Sequence, residues 1–173
     1  MISPTASDVL TNEQRRFCMS QIRGKDTNPE MFVRRALHAM GFRYQVHARS
    51  LPGSPDLAFP RLRAAIFIHG CFWHVHSCPR FFWPRNRKEF WRQKLLNNAK
   101  RDRANLAALR SSGWKTLVIW ECALRVPMNA AGETVPGECA KWLRSPDWRD
   151  AVIGRHSPTL RAVTGSFESV ARI

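Results

Sequence analysis

Apolar positions along this chain recur with two different periods, and the switches between them mark out its elements. Phe32, Val33, Ala36, Leu37 and Met40 fall on one helical stripe that Gly41 closes. Just before it, Thr27-Asn28-Pro29-Glu30 supplies a capping residue, a proline for the first turn and a glutamate three positions on, which is a capping box. Phe42 to His47 alternates loosely, Leu51-Pro52-Gly53-Ser54-Pro55 is a turn, and Asp56 to Phe59 is a brief strand. Ala64 to His69 and Trp114 to Trp120 are apolar and strand-length without polar alternation, so both belong inside a sheet covered on both faces. Arg87 to about Ser112 reads as a long helix ended by Gly113, and Glu138 to Leu143 as a last core helix. Between His69 and Arg87 the pattern is irregular. The order of helix, three strands, helix, strand and helix predicts an α/β sandwich with a mixed central sheet. Residues 1–23 read as a basic arm, 24–144 as the folded domain, and 145–173 as a tail without an assigned element.

Charge changes this picture. The 173 residues hold 28 Lys and Arg against 13 Asp and Glu, a formal charge of +15. The positive residues run from Arg15 to Arg172 rather than collecting in a tail, which points to a broad face for a polyanion such as nucleic acid. Seven Trp stand beside a single Tyr, and Trp73, Trp83, Trp91 and Trp114 are interleaved with Arg and Lys. Core packing accounts for most tryptophans, but aromatic rings beside cations are also what wedging into a base stack requires. Every apolar run is too short to span a membrane. Met1 to Leu10 has neither a long apolar stretch nor a basic lead-in, so a reducing cytoplasm is expected. Nothing suggests a coiled coil, and a monomer is expected.

In that compartment clustered Cys and His point to metal rather than disulfides. Cys71, His76 and Cys78 form Cys-x4-His-x-Cys, and Cys122 follows the strand that ends at Trp120. If that strand lies beside the one ending at His69, the two loops leave one sheet edge together. A tetrahedral Cys3His zinc site would result, structural because four protein ligands leave no place for substrate. Buried thiols beside a surface histidine are the plainer alternative.

A second constellation lies upstream. Ser54-Pro55-Asp56 and Phe67-Ile68-His69 put a carboxylate at the start of one strand and an imidazole at the end of the next, so a hairpin would join them. Phosphodiester hydrolysis needs a hard cation on carboxylate and carbonyl oxygens, and a group that takes a proton from water. Asp56 and the Ile68 carbonyl match the first need, and His74 or His69 the second. Taken singly, an Asp after Pro is a turn former and a His among aromatics is packing.

The run Ile66-Phe67-Ile68-His69-Gly70-Cys71-Phe72-Trp73-His74-Val75-His76-Ser77-Cys78 resembles the signature of the very-short-patch repair (Vsr) endonucleases. Leu51-Pro52-Gly53-Ser54-Pro55-Asp56, Glu89-Phe90-Trp91, Asn98, Arg101-Asp102-Arg103 and Gly113-Trp114 through Trp120-Glu121-Cys122-Ala123-Leu124 agree with it, in order, over about Met19 to Leu124. The resemblance implies a restriction-endonuclease-like α/β/α sandwich and a DNA endonuclease. It also implies double-stranded DNA carrying a T:G mismatch as substrate, a nick 5′ to the mispaired T, and downstream repair proteins as partners. By position, Asp56 resembles the family's magnesium-binding aspartate, His74 its water-activating histidine, and Glu30 its supporting acid. His69 stands where restriction enzymes place a lysine. Cys71, His76, Cys78 and Cys122 resemble the zinc ligands, and Phe72, Trp73 and Trp91 the wedge that enters DNA. Lys94 and Asn98, one helical turn apart, resemble the residues that touch the mispair. Ile68 stands where some relatives carry Thr, which a backbone ligand tolerates. Two rivals to this reading are a nickase of the same fold acting at matched sites and a catalytically inactive DNA-binding module.

Overall fold

The computed structural model describes residues 11–21, 24–128, 132–147, 149–154 and 157–162. Helix α1 (Asn12–Ser20) and helix α2 (Asn28–Ala39) precede three strands, β1 (Gln45–Val46), β2 (Leu57–Phe59) and β3 (Ala64–His69). The long helix α3 (Lys88–Ser111) leads to β4 (Lys115–Trp120), and α4 (Val135–Arg144) to β5 (Asp150–Gly154) and β6 (Ser157–Ala162). The six strands lie in chain order in a single sheet. β1, β2 and β3 form an antiparallel meander, β3, β4 and β5 run parallel, and β6 returns antiparallel to β5. The sheet is therefore mixed, as the element order predicts.

Strand alternation sorts the core into two layers. Ala64 and Ile66 of β3, with Leu117 and Ile119 of β4, meet Val33 and Leu37 of α2 and Cys139, Trp142 and Leu143 of α4. Ala65 and Phe67, with Val118 and Trp120, point the other way onto Leu106 and Leu109 of α3. Helices thus cover both faces, which is why both central strands read as unbroken apolar runs. Among the described residues no helix is long and apolar enough to cross a membrane.

Several expectations need correction. The stripe of α2 buries Val33 and Leu37, whereas Phe32 is 54% and Met40 41% exposed. In their stead the inner face carries Glu30 and Arg34, both buried. Only Gln45 and Val46 of the loose stretch Phe42 to His47 pair as a strand. Phe42 and Tyr44 instead set their rings edge-on against Phe59, at 6.2 and 5.6 Å. Within the basic arm, Thr11 and Gln14 exchange backbone-to-side-chain hydrogen bonds of 2.8 and 3.2 Å, a second capping box that starts α1. In the stretch left without an element, β5 drops Ala151 and Ile153 into the core, and β6 extends the sheet.

Candidate functional site

The β2–β3 hairpin and the parallel β3–β4 pair set the site. Leu57 lies opposite Ile66, so Asp56 meets the end of β3, and its Oδ2 accepts a 2.7 Å hydrogen bond from the Ile68 N–H. The turn leading into Asp56 is closed by the Ser54 N–H donating to the Leu51 carbonyl at 3.0 Å. Gly53 is required there: its φ is +74°, and a Cβ would stand 2.9 Å from Asn105 of α3. That close approach ties the Asp56 loop to the helix carrying Asp102.

A cleft of about 560 Å3 opens at this rim, lined by Glu30, His47, Asp56, His69, His74 and Asp102 among others. Burial pushes the Asp56 carboxyl up to about 6, and the nearby Glu30 charge adds to it against the Ile68 N–H. A carboxylate so stripped of water, next to another acid, is a site where a cation would be favoured. Glu30 itself is engaged: it accepts from the Thr27 hydroxyl at 2.8 Å, the Asp26 N–H at 3.0 Å and Arg34 Nη2 at 2.9 Å. Arg34 also pairs with the Asp26 carboxylate and reaches His47 Nε2 at 2.9 Å. A guanidinium only donates, so Nε2 is the acceptor and His47 Nδ1 carries the proton, 3.8 Å from Asp56 Oδ1.

Across the cleft the His69 and His74 rings stack at 3.9 Å and 5°. Burial, helped by His74, drives the His69 pKa down to about 3, so this ring is neutral at working pH. His74 Nδ1 lies 2.5 Å from Asp102 Oδ2. Burial alone would raise Asp102, but the hydrogen bond and charge of His74 outweigh it and its pKa is lowered. An ionised Asp102 accepting from Nδ1–H leaves the Nε2 lone pair of His74 available to take a proton.

The parallel register sets His69 opposite Trp120, so the loops after β3 and β4 leave together. Cys71, His76, Cys78 and Cys122 converge, their ligand atoms all within 4.8 Å of one another and all four residues buried. Val75, at a left-handed φ of +55°, turns the chain so that His76 faces back, and the His76 ring stacks on Trp120 at 4.1 Å. Contact with Cys122, then burial, pushes the Cys71 thiol far above its usual range. Three crowded sulfurs and an imidazole fit a divalent thiophilic ion, which would draw off the thiol protons.

Beside the cleft, Phe72 contacts Trp73 and Trp91 at 5.1 and 5.5 Å between ring centres. Lys94 Nζ sits 5.4 Å from the Trp73 ring and 5.3 Å from that of Trp91. Asn98 donates its amide to the Trp73 carbonyl at 3.1 Å and accepts from Arg101 at 3.2 Å.

Comparison with known proteins bears on this arrangement. The family model described as DNA mismatch endonuclease Vsr matches residues 7–80. The Type II nicking enzyme V.XorIIP of Xanthomonas oryzae pv. oryzae is 44% identical over 68% of this chain and 87% of its own. The DNA mismatch endonuclease Vsr of Escherichia coli K12 is 37% identical over 79% of this chain and 88% of its own. The chain belongs to the Vsr family. It is accordingly a DNA endonuclease.

For a Vsr-family chain, the expected residues gather into three adjoining groups. Asp56, His69, His74 and Glu30 line one cleft, the side chains of Cys71, His76, Cys78 and Cys122 meet in a cluster that could hold a metal, and Phe72, Trp73, Trp91, Lys94 and Asn98 form one patch. Asp102 and His47 were missed as site residues. Asp102 continues the helical stripe of Trp91, Lys94 and Asn98 by one more turn, which is the signal that would have found it. His47 had none, because its role rests on contacts from three separate segments.

Proposed function

We propose that this endonuclease nicks one DNA strand 5′ to the mispaired T of a T:G mismatch by magnesium-dependent phosphodiester hydrolysis, and so initiates very-short-patch repair. A restriction-endonuclease-like core fits the mixed sheet with helices on both faces. The observation that carries the reading is a desolvated carboxylate and a hydrogen-bonded His–Asp pair lining one cleft. Asp56 and the Ile68 carbonyl would hold magnesium, which when bound polarises the phosphate and offsets charge on the leaving oxygen. Cys71, His76, Cys78 and Cys122 would hold zinc, which fixes the loop carrying Phe72, Trp73 and His74.

Within this scheme Asp102 orients His74 and stabilises the imidazolium formed when Nε2 takes a proton from the attacking water. The neutral His69 ring holds His74 by stacking and adds no competing charge. Glu30, fixed by Arg34 and Thr27, keeps the mouth acidic opposite Asp56. Phe72, Trp73 and Trp91 would enter the helix at the mispair, where unstacking costs least, while Lys94 and Asn98 contact the mispaired bases. Asp56→Ala is expected to abolish magnesium-dependent nicking of a T:G duplex while DNA affinity stays within a few-fold. Loss of binding together with nicking would mean that Asp56 serves the fold and not the reaction.

A second reading has support of its own, since relatives at 44% and 39% identity bear the name Type II nicking enzyme. Nicking a fully paired duplex as fast as its T:G counterpart would favour that reading over mismatch repair.

A further inference from the structure

The segment that follows Cys78 carries aromatic surface that the mechanism does not use. Phe82 is 70% exposed, Phe90 45% and Trp83 39%. The patch is tied down through Phe81. The Phe81 N–H donates to the Cys78 carbonyl at 2.9 Å, and the half-buried Phe81 ring meets Trp83 edge-on at 5.1 Å. Phe82 touches Phe72 at 6.4 Å between ring centres, so the shoulder is continuous with the proposed wedge. Such rings on a fixed loop leave apolar area in water unless a partner covers it.

Charge identifies that partner. Residues 79–94 hold six cations (Arg80, Arg85, Arg87, Lys88, Arg92 and Lys94) and a single acid, Glu89. The Arg87 guanidinium lies 4.4 Å from the Phe90 ring centre, so cation and ring are presented together. An apolar protein face would leave these cations unmatched, whereas a polynucleotide neutralises them and offers flat bases to the rings. A paired duplex buries its base faces. Unpaired bases do not.

We propose that Phe82 and Trp83 form a second stacking platform, which holds unpaired bases of the nicked strand after incision. The proposal rests on the DNA-nicking reading above and adds a product-holding surface to it. Stacking of one or two bases makes the nicked, frayed product leave slowly and keeps the new strand end with the enzyme.

The test is a Phe82→Ala/Trp83→Ala double variant of the full chain, compared with wild type by fluorescence anisotropy on three probes. These are an intact T:G duplex, the same duplex nicked with an unpaired tail, and a single-stranded oligonucleotide. Affinity for the tailed and single-stranded probes is expected to fall about tenfold. Affinity for the intact duplex and the single-turnover nicking rate should change less than about twofold, and multiple-turnover nicking should rise as product leaves sooner. Phe82→Leu/Trp83→Leu keeps apolar bulk without flat rings and should lose tail binding too, while unchanged zinc content and far-ultraviolet dichroism report an intact fold. Equal losses on all probes, no loss on any, or full tail binding by the leucine variant would overturn the proposal. So would concentration-dependent self-association that the alanine variant abolishes, since the occupant would then be a second copy. Failure of wild type to nick the T:G duplex sinks the functional reading instead, and tail binding is measured without it.

Discussion

Asp56 and His69 pull the stability of this fold in opposite directions as acid is added. The Asp56 pKa, raised to about 6 from 3.8 by burial, means that the native state holds this proton more tightly than the unfolded chain. Its ionisation therefore costs stability progressively from about pH 4 to 6, and the full cost stands above pH 6. The His69 pKa is lowered from 6.5 to about 3, so stability is lost as pH falls from about 6.5 towards 3. Between pH 4 and 6 the two effects offset each other. Asp56→Asn should raise unfolding stability above pH 6 by on the order of 1–3 kcal/mol and steepen the loss in acid. Urea titrations across a pH series read both, and an unchanged midpoint at neutral pH would contradict the desolvation argument. Asp102→Asn keeps the shape of the His74 contact but removes its charge. Nicking should fall roughly 100-fold or more with DNA affinity retained, and the pH–rate profile should shift. A variant that lost affinity and rate together would make Asp102 a structural residue.

At the scale of elements, the ends of helices were easier to read than their faces. Thr27, Pro29 and Glu30 announce α2 because capping uses neighbours within one turn. The apolar stripe misled at Phe32 and Met40, since which flank of α2 is covered depends on where α4 packs. α4 itself ends on a contact from far away: Lys115 Nζ donates to the carbonyls of Trp142, Leu143 and Ser145 at 2.9, 3.2 and 2.9 Å. Lys115→Met retains the aliphatic stem but leaves these carbonyls without their donor, so stability should drop by about 1–3 kcal/mol. Thermal unfolding measures this, and nicking below the unfolding range should be unchanged. A shift in nicking without one in unfolding would point to a role for Lys115 outside α4. β5 escaped notice for a similar reason. Five residues with polar neighbours carry little periodic signal, and the strand exists because the parallel edge of β4 receives it.

Over the whole molecule, the cysteine and histidine cluster joins the loops after β3 and β4 and closes the sheet edge behind the cleft. Cys122→Ser should abolish tight zinc binding and lower the melting temperature by on the order of 10 °C, with nicking lost at temperatures where the chain is still folded. Metal analysis and calorimetry together check this, and full zinc content in the variant would show that Cys122 is not a ligand. The charge of +15 belongs to this scale as well. It predicts DNA affinity that falls steeply with added salt on matched and mismatched duplexes alike.

The linear chain determined whatever depends on near neighbours and residue chemistry: the strands Ala64 to His69 and Lys115 to Trp120, the α2 cap, the thiols and imidazole that could hold a metal, and the family signature around His69 to Cys78. Tertiary structure alone decided which charges face each other across the cleft. Asp102 lies 28 positions from His74, and His47 is 13 from Arg34, yet each pair shares a hydrogen bond. Hydrophobic period reports how an element meets the core. It carries no information on which polar groups two distant elements bring within reach, because that depends on the angle and register at which they pack.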